Sequence, residues 1–233
     1  MNIIPVLDLK DGQVVHAKYG NRQDYQAIQS ALTDSSEPTH IVQALLALYP
    51  FKQLYIADID AIQKTGNHQP IIEEISLKFP QLELWVDAGF SDQKALSNWA
   101  NNNVRAVLGS ESIDSVDHYQ SMVNACQQPP ILSLDFKNNA FLGAKELINR
   151  SELWPKDVIV MTLDKVGSNT GPDIEQLSRI KDTCLNSSVF AAGGVRHASD
   201  LEALKTAGIS GVLVASALHQ GTIDKTTITK LQT

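Results

Sequence analysis

Short apolar runs closed by Asp, Gly or Ser alternate along this chain with longer stretches of mixed polarity. The runs lie at about 3–9, 54–58, 82–87, 104–108, 131–135, 158–162, 189–192 and 211–215. They lack strict in–out alternation, which predicts strands buried on both faces, as in a parallel sheet. Between them apolar residues return every three or four positions. That spacing predicts helices over 39–48, 71–79, 92–100, 114–126, 144–149, 173–184 and 198–206, and a last one from about Thr222. Asp114 is the expected N-cap of the fourth. Residues 14–17 read as a further short strand. Residues 18–38 are polar, irregular and long for a connection, and such loops are often functional.

Strand and helix in regular alternation point to parallel strands wound by right-handed crossovers. Eight strands in 233 residues suit one closed α/β barrel, a single TIM (β/α)8 domain over 1–233. A doubly wound sheet needs only five or six strands and a glycine fingerprint after the first, and Asp8-Leu9-Lys10-Asp11-Gly12 is not one. The chain also repeats itself. Leu7-Asp8-Leu9-Lys10 matches Leu134-Asp135-Phe136-Lys137, and Ile56-Ala57-Asp58 matches Val160-Met161-Thr162. Ala88-Gly89-Phe90 matches Gly193-Gly194-Val195, and Val107-Leu108-Gly109-Ser110 matches Leu213-Val214-Ala215-Ser216. Four matches in order, each at the end of a strand, predict a twofold repeat of half-barrels at about 1–127 and 128–233.

Composition narrows the partners. The formal net charge is -7, with no basic patch, so no nucleic-acid partner is expected. No apolar run approaches the ~18 residues of a membrane span. The first strand begins at once, without a leader, so a cytoplasmic protein is expected. The two cysteines, Cys126 and Cys184, fit no metal or redox spacing and read as free buried thiols.

In such barrels the active site lies at the C-terminal ends of the strands. Asp8 and Asp135 close strands one and five, which face each other, and make a candidate acid–base pair. The plainer alternative for Asp8 is a cap or an ion pair with Lys10 or Lys137. Gly193, Gly194, Ala215 and Ser216 close strands seven and eight, where a phosphate can approach backbone N–H groups. Gly89, Gly109 and Ser110 are their repeat mates, so a ligand with a phosphate at each end is expected. For any single glycine the alternative is a tight turn.

Ile4-Pro5-Val6-Leu7-Asp8-Leu9-Lys10-Asp11-Gly12-Gln13-Val14-Val15, Ala192-Gly193-Gly194-Val195 and the loop 162–172 resemble the histidine-biosynthesis barrels. These are phosphoribosylformimino-aminoimidazole carboxamide ribotide isomerase (HisA) and imidazole glycerol phosphate synthase cyclase (HisF). The resemblance spans nearly the whole chain. It implies a phosphorylated small-molecule substrate and an Amadori rearrangement with Asp8 as base. Asp135 and Thr162 stand at the other two site positions, and neither a metal nor a cofactor is implied. The chain also departs from that pattern. Val166-Gly167 stands where the isomerase carries Asp-Gly, whose aspartate is the general acid, and the direction of nearby Asp164 is open. Ala88-Gly89-Phe90-Ser91 replaces a glycine run with arginine, and Gly143-Ala144 replaces Gly-Trp. Ala215 replaces a glycine and His16 an arginine. The pattern resembles a divergent paralogue of the kind found with tetrahydromethanopterin one-carbon chemistry. Three functions stay open: an isomerase-like enzyme or related lyase on another phosphorylated substrate, the histidine-pathway isomerase with a relocated acid, or a non-catalytic phosphate-binding barrel.

Overall fold

The computed structural model describes residues 1–97, 99, 103–168, 170–184 and 186–232. Eight parallel strands follow one another around a ring: β1 (Asn2–Lys10), β2 (Gln53–Asp58), β3 (Glu83–Asp87), β4 (Val104–Gly109), β5 (Ile131–Lys137), β6 (Asp157–Thr162), β7 (Ser188–Ala192) and β8 (Gly211–Val214). β8 returns to β1 with Ile4 opposite Leu213 and closes the barrel. Helices α1 (Pro38–Leu48), α2 (Gln69–Lys78), α3 (Gln93–Ser97), α4 (Val116–Ala125), α5 (Lys145–Ile148), α6 (Ile174–Thr183), α7 (Ala198–Thr206) and α8 (Lys225–Leu231) link the strands or follow the last of them.

Period-two alternation sorts the strand side chains into two cores. Ile4, Tyr55, Trp85, Val107, Ile131, Ile159, Phe190 and Leu213 fill the barrel interior. Leu7, Leu54, Val86, Leu108, Leu134, Val160, Ala191 and Val212 face the helices. Inside, the Trp85 and Phe190 rings meet edge-on, centroids 4.9 Å apart at 78°. Because Ile4, Val6 and Asp8 share one face, the alternation that packs the interior also turns Asp8 inward at the mouth.

Several expectations are corrected. Ser115, not Asp114, caps α4, its side chain accepting from the His118 N–H. α8 begins at Lys225 behind an Asp224 cap rather than near Thr222. The helix expected over 92–100 is seen as Gln93–Ser97, and Asn98 and Ala100 lie outside the described residues. Cys126 and Cys184 are free but only half-buried. Among the described residues no helix is long and apolar enough to cross a membrane.

The segment 18–38 is not irregular throughout. Gln13–His16 folds back antiparallel on β1, with Val15 opposite Asp8, and Gln26–Ala27 pairs with it in turn. The Ala31 N–H donates to the His219 carbonyl at 2.7 Å, which ties the far end to the β8 side. Strand β5 carries the matching device: Ala140–Leu142 folds back with Leu142 opposite Asp135. Both hairpins turn on two residues of positive φ, Asp11 (50°) and Gly12 (77°), and Asn138 (51°) and Asn139 (61°). Such turns match the strand twist and favour Asp, Asn and Gly.

Candidate active site

A solvent-open pocket of about 970 Å³ occupies the C-terminal mouth. Its walls include Asp8, Asp87 and Asp135 near strand ends, Tyr55 from within β2, and Arg22 and Tyr25 from the loop after β1. Glu111 follows β4, and Val166 and Gly167 follow β6. Gly193, Gly194, Val195, Ala215 and Ser216 form the β7–β8 rim.

Three carboxylates are thus held in low-dielectric surroundings, where the neutral form is favoured. Burial pushes Asp8 up to about 7, with the Arg22 charge pulling the other way. Burial likewise pushes Asp135 to about 7, opposed by the Ser133 hydrogen bond and reinforced by the Asp87 charge. Asp87 reaches about 6, burial again leading, with the Gly89 N–H lowering it. A carboxyl titrating near neutral pH is suited to give and take protons.

Their attachments differ. The Asp135 carboxylate accepts from Ser133 Oγ at 2.6 Å, Ser110 Oγ at 3.2 Å and the Glu111 N–H at 3.2 Å. Asp87 accepts from the Gly89 N–H at 3.0 Å and from Tyr55 Oη at 3.3 Å. Among the described residues none hydrogen-bonds the Asp8 carboxylate. Nor is Asp8 in an ion pair with its neighbours: Lys10 Nζ donates to the Arg22 carbonyl at 3.0 Å, and Lys137 is exposed. Arg22 itself pairs with Glu111 across the mouth. Burial drives the Tyr25 phenol to about 12, with the Asp8 charge adding to the rise, so the phenol stays neutral.

The opposite rim is built from backbone. Gly193 and Gly194 have φ of 105° and 88°. A Cβ on Gly194 would lie 2.3 Å from the Gly171 carbonyl oxygen, so the fold itself requires glycine there. Among the described residues none accepts a hydrogen bond from the N–H of Gly194, Val195 or Ser216. Ser216 Oγ lies 2.9 Å from His16 Nε2. Behind it His219 is pushed down to about 4 by burial and stays neutral.

The pocket therefore brings together Asp8, Asp135, Gly193, Gly194, Ala215 and Ser216. Gly89, Gly109 and Ser110 do not line it; they lie against the Asp87 and Asp135 carboxylates. Thr162 is buried on the register of β6 that alternates with Met161, and Met161 lines the pocket. Asp164 is turned away, accepting from the Asn138 N–H at 3.1 Å, and Val166 forms the wall beside it. Sequence reading did not single out Arg22, Tyr25, Tyr55, Asp87 or Glu111. Asp87 had a visible signal, since it closes an apolar run as Asp8 and Asp135 do. Arg22 and Tyr25 had none beyond the length of their loop.

Comparison with known proteins agrees with the barrel fold. An uncharacterized protein of Methanocaldococcus jannaschii is 30% identical over 225 residues, 96% of each chain. Two relatives are named 1-(5-phosphoribosyl)-5-((5-phosphoribosylamino)methylideneamino)imidazole-4-carboxamide isomerase. That of Thioalkalivibrio sulfidiphilus is 26% identical over 249 residues, 99% of each chain. That of Bacillus cereus is 27% identical over 238 residues, 96% of this chain and 95% of the relative. The family model described as histidine biosynthesis protein matches residues 2–224, and the chain belongs to that family.

Proposed function

We propose that this barrel is an enzyme of the isomerase kind that moves a proton within a phosphorylated small molecule. One observation carries the reading. Asp8, titrating near 7 and without a hydrogen-bond partner among the described residues, shares a pocket with the unclaimed N–H groups of Gly194, Val195 and Ser216. Unclaimed backbone donors at the ends of β7 and β8 suit a phosphate. With the phosphate anchored there, ionised Asp8 takes a proton from the carbon next to a carbonyl or imine. The same proton, or one from solvent, returns to the former carbonyl or imine carbon, while the neighbouring hydroxyl gives up its proton and the former carbonyl oxygen or imine nitrogen gains one, so the step is redox-neutral. Asp135, clamped by Ser133, Ser110 and Glu111, holds its place on the other side of the mouth. A link to one-carbon cofactor metabolism belongs to this reading and is tested by the functions encoded beside the gene.

The test is deuterium exchange at the carbon next to the carbonyl, followed by NMR on a panel of aldose and ketose phosphates in D2O. Exchange is expected with wild type and is expected to fall about 10²–10⁴-fold in Asp8→Asn. A protein that binds phosphate yet exchanges none of the panel refutes the enzyme reading in favour of a binding barrel. The names of the relatives favour a second reading, the histidine-pathway isomerase itself. Val166 weighs against it, because valine donates no proton where the resemblance calls for an acid. Turnover of that aminoaldose ribotide within tenfold of an ordinary isomerase establishes the second reading.

A further inference from the structure

The two ends of the pocket occupy matching positions in the repeat and are chemically opposite. The match of Ala88-Gly89-Phe90 with Gly193-Gly194-Val195 sets Asp87 against Ala192. The match ending Gly109-Ser110 and Ala215-Ser216 sets Glu111 against Ala217. At the β7–β8 end, then, two alanines leave the backbone donors without an internal acceptor. At the β3–β4 end two acids stand in their places, and two of the backbone donors, the Gly89 and Glu111 N–H groups, are taken. The Gly89 N–H donates to Asp87 Oδ1 at 3.0 Å and the Glu111 N–H to Asp135 Oδ2 at 3.2 Å. The single Ser110 hydroxyl proton is shared between the Leu142 carbonyl at 2.6 Å and Asp135 Oδ2 at 3.2 Å. Gly109 lies against those same carboxylates: a Cβ there would touch Asp135 Oδ2 at 3.4 Å and Asp87 Oδ2 at 3.6 Å, ordinary contacts. The protein's own anions therefore stand at this end, and they engage the Gly89 and Glu111 N–H groups where a second phosphate would need donors and no negative charge. Arg22, the cation lining this side, is already paired with Glu111.

We infer that the ligand is a monophosphate, bound by its single phosphate at the Gly194–Ser216 end, with no negative charge at the end walled by Asp87, Glu111 and Asp135. This rests on the phosphate reading above and adds to it the class of substrate. Like charges juxtaposed across an interface are disfavoured, which gives the selectivity its sign.

The experiment titrates the protein at pH 8 with inorganic phosphate, ribose 5-phosphate and ribulose 1,5-bisphosphate, by calorimetry. Ribose 5-phosphate is expected to bind at least about tenfold more tightly than the bisphosphate, a gap of about 1.4 kcal/mol. In the double variant Asp87→Asn, Glu111→Gln that gap is expected to close, with inorganic phosphate binding unchanged. A bisphosphate that binds wild type as tightly as the monophosphate overturns the inference, as does a gap that the double variant leaves intact. The Ser216→Asp variant separates the two levels. If it abolishes inorganic phosphate binding, the phosphate reading stands and the bisphosphate comparison judges the inference alone. If inorganic phosphate and both sugar phosphates fail to bind wild type, the phosphate reading falls and the inference with it.

Discussion

Replacing Asp87 by Asn should make the protein more stable at alkaline pH. The side chain keeps its shape, its Oδ1 still accepts from the Gly89 N–H, and its Nδ2 faces the Tyr55 oxygen now 3.3 Å from Oδ2. What is lost is a charge that burial and the nearby Glu111 charge both disfavour. Asp87 titrates at about 6 when folded, against an ordinary 3.8. Between those values the folded chain binds more protons than the unfolded one, so stability falls as pH rises from about 4 to about 6 and is level above. The gap is about two pH units, and at 1.36 kcal/mol each that is about 3 kcal/mol. Asp87 keeps some contact with solvent, so a gain of about 1–3 kcal/mol at pH 8 is expected, shrinking to nearly nothing below pH 4. Urea unfolding of wild type and variant at pH 8 and pH 4 measures it directly. A variant less stable than wild type at pH 8, or a gain that does not change with pH, refutes the idea that this carboxylate is strained by burial.

The remaining predictions concern Asp8, Gly194 and Asn139. If Asp8 is the base, kcat/KM should rise with pH through about 7, because the ionised form is the active one and burial sets its titration there. A profile flat from pH 5 to 9 in wild type would remove Asp8 from the proton transfer. Gly194→Ala should destabilise the fold with or without phosphate, since φ is 88° and the new Cβ meets the Gly171 carbonyl oxygen at 2.3 Å. The loss should be on the order of 1–3 kcal/mol or more, and an unchanged melting temperature would contradict it. For the same reason Ser216→Asp is the cleaner probe of the anion rim. Asn139→Val places a β-branched residue at φ 61° and should cost about 1–2 kcal/mol in chemical unfolding. An unaffected midpoint would mean that the hairpin after β5 adds nothing to stability.

Local pattern alone determined most of the architecture. Eight apolar runs bounded by Asp, Gly and Ser, with helical spacing between them, are enough to specify a parallel barrel, because each strand must be buried on both faces. Asp8 and Asp135 were legible for the same reason: a carboxylate ending such a run has to surface at the mouth. Gly193, Gly194 and Ser216 were legible because their order repeats between the halves. Tertiary structure decided what those groups meet. Arg22 and Tyr25 come from a polar loop without periodicity, and only its pairing back onto β1 carries them over the pocket. Thr162 and Asp164 look like site residues in sequence, but strand alternation and the Asn138 N–H turn them elsewhere. The difference between the two ends of the pocket was also hidden, because matching glycine and serine motifs look alike as strings. The Gly194, Val195 and Ser216 N–H groups are left without an internal acceptor among the described residues, whereas the Gly89 N–H is taken by Asp87 of its own strand and the Glu111 N–H by Asp135 of the next. The Asp135 contact depends on β5 lying beside β4 in the barrel, which a linear pattern does not record.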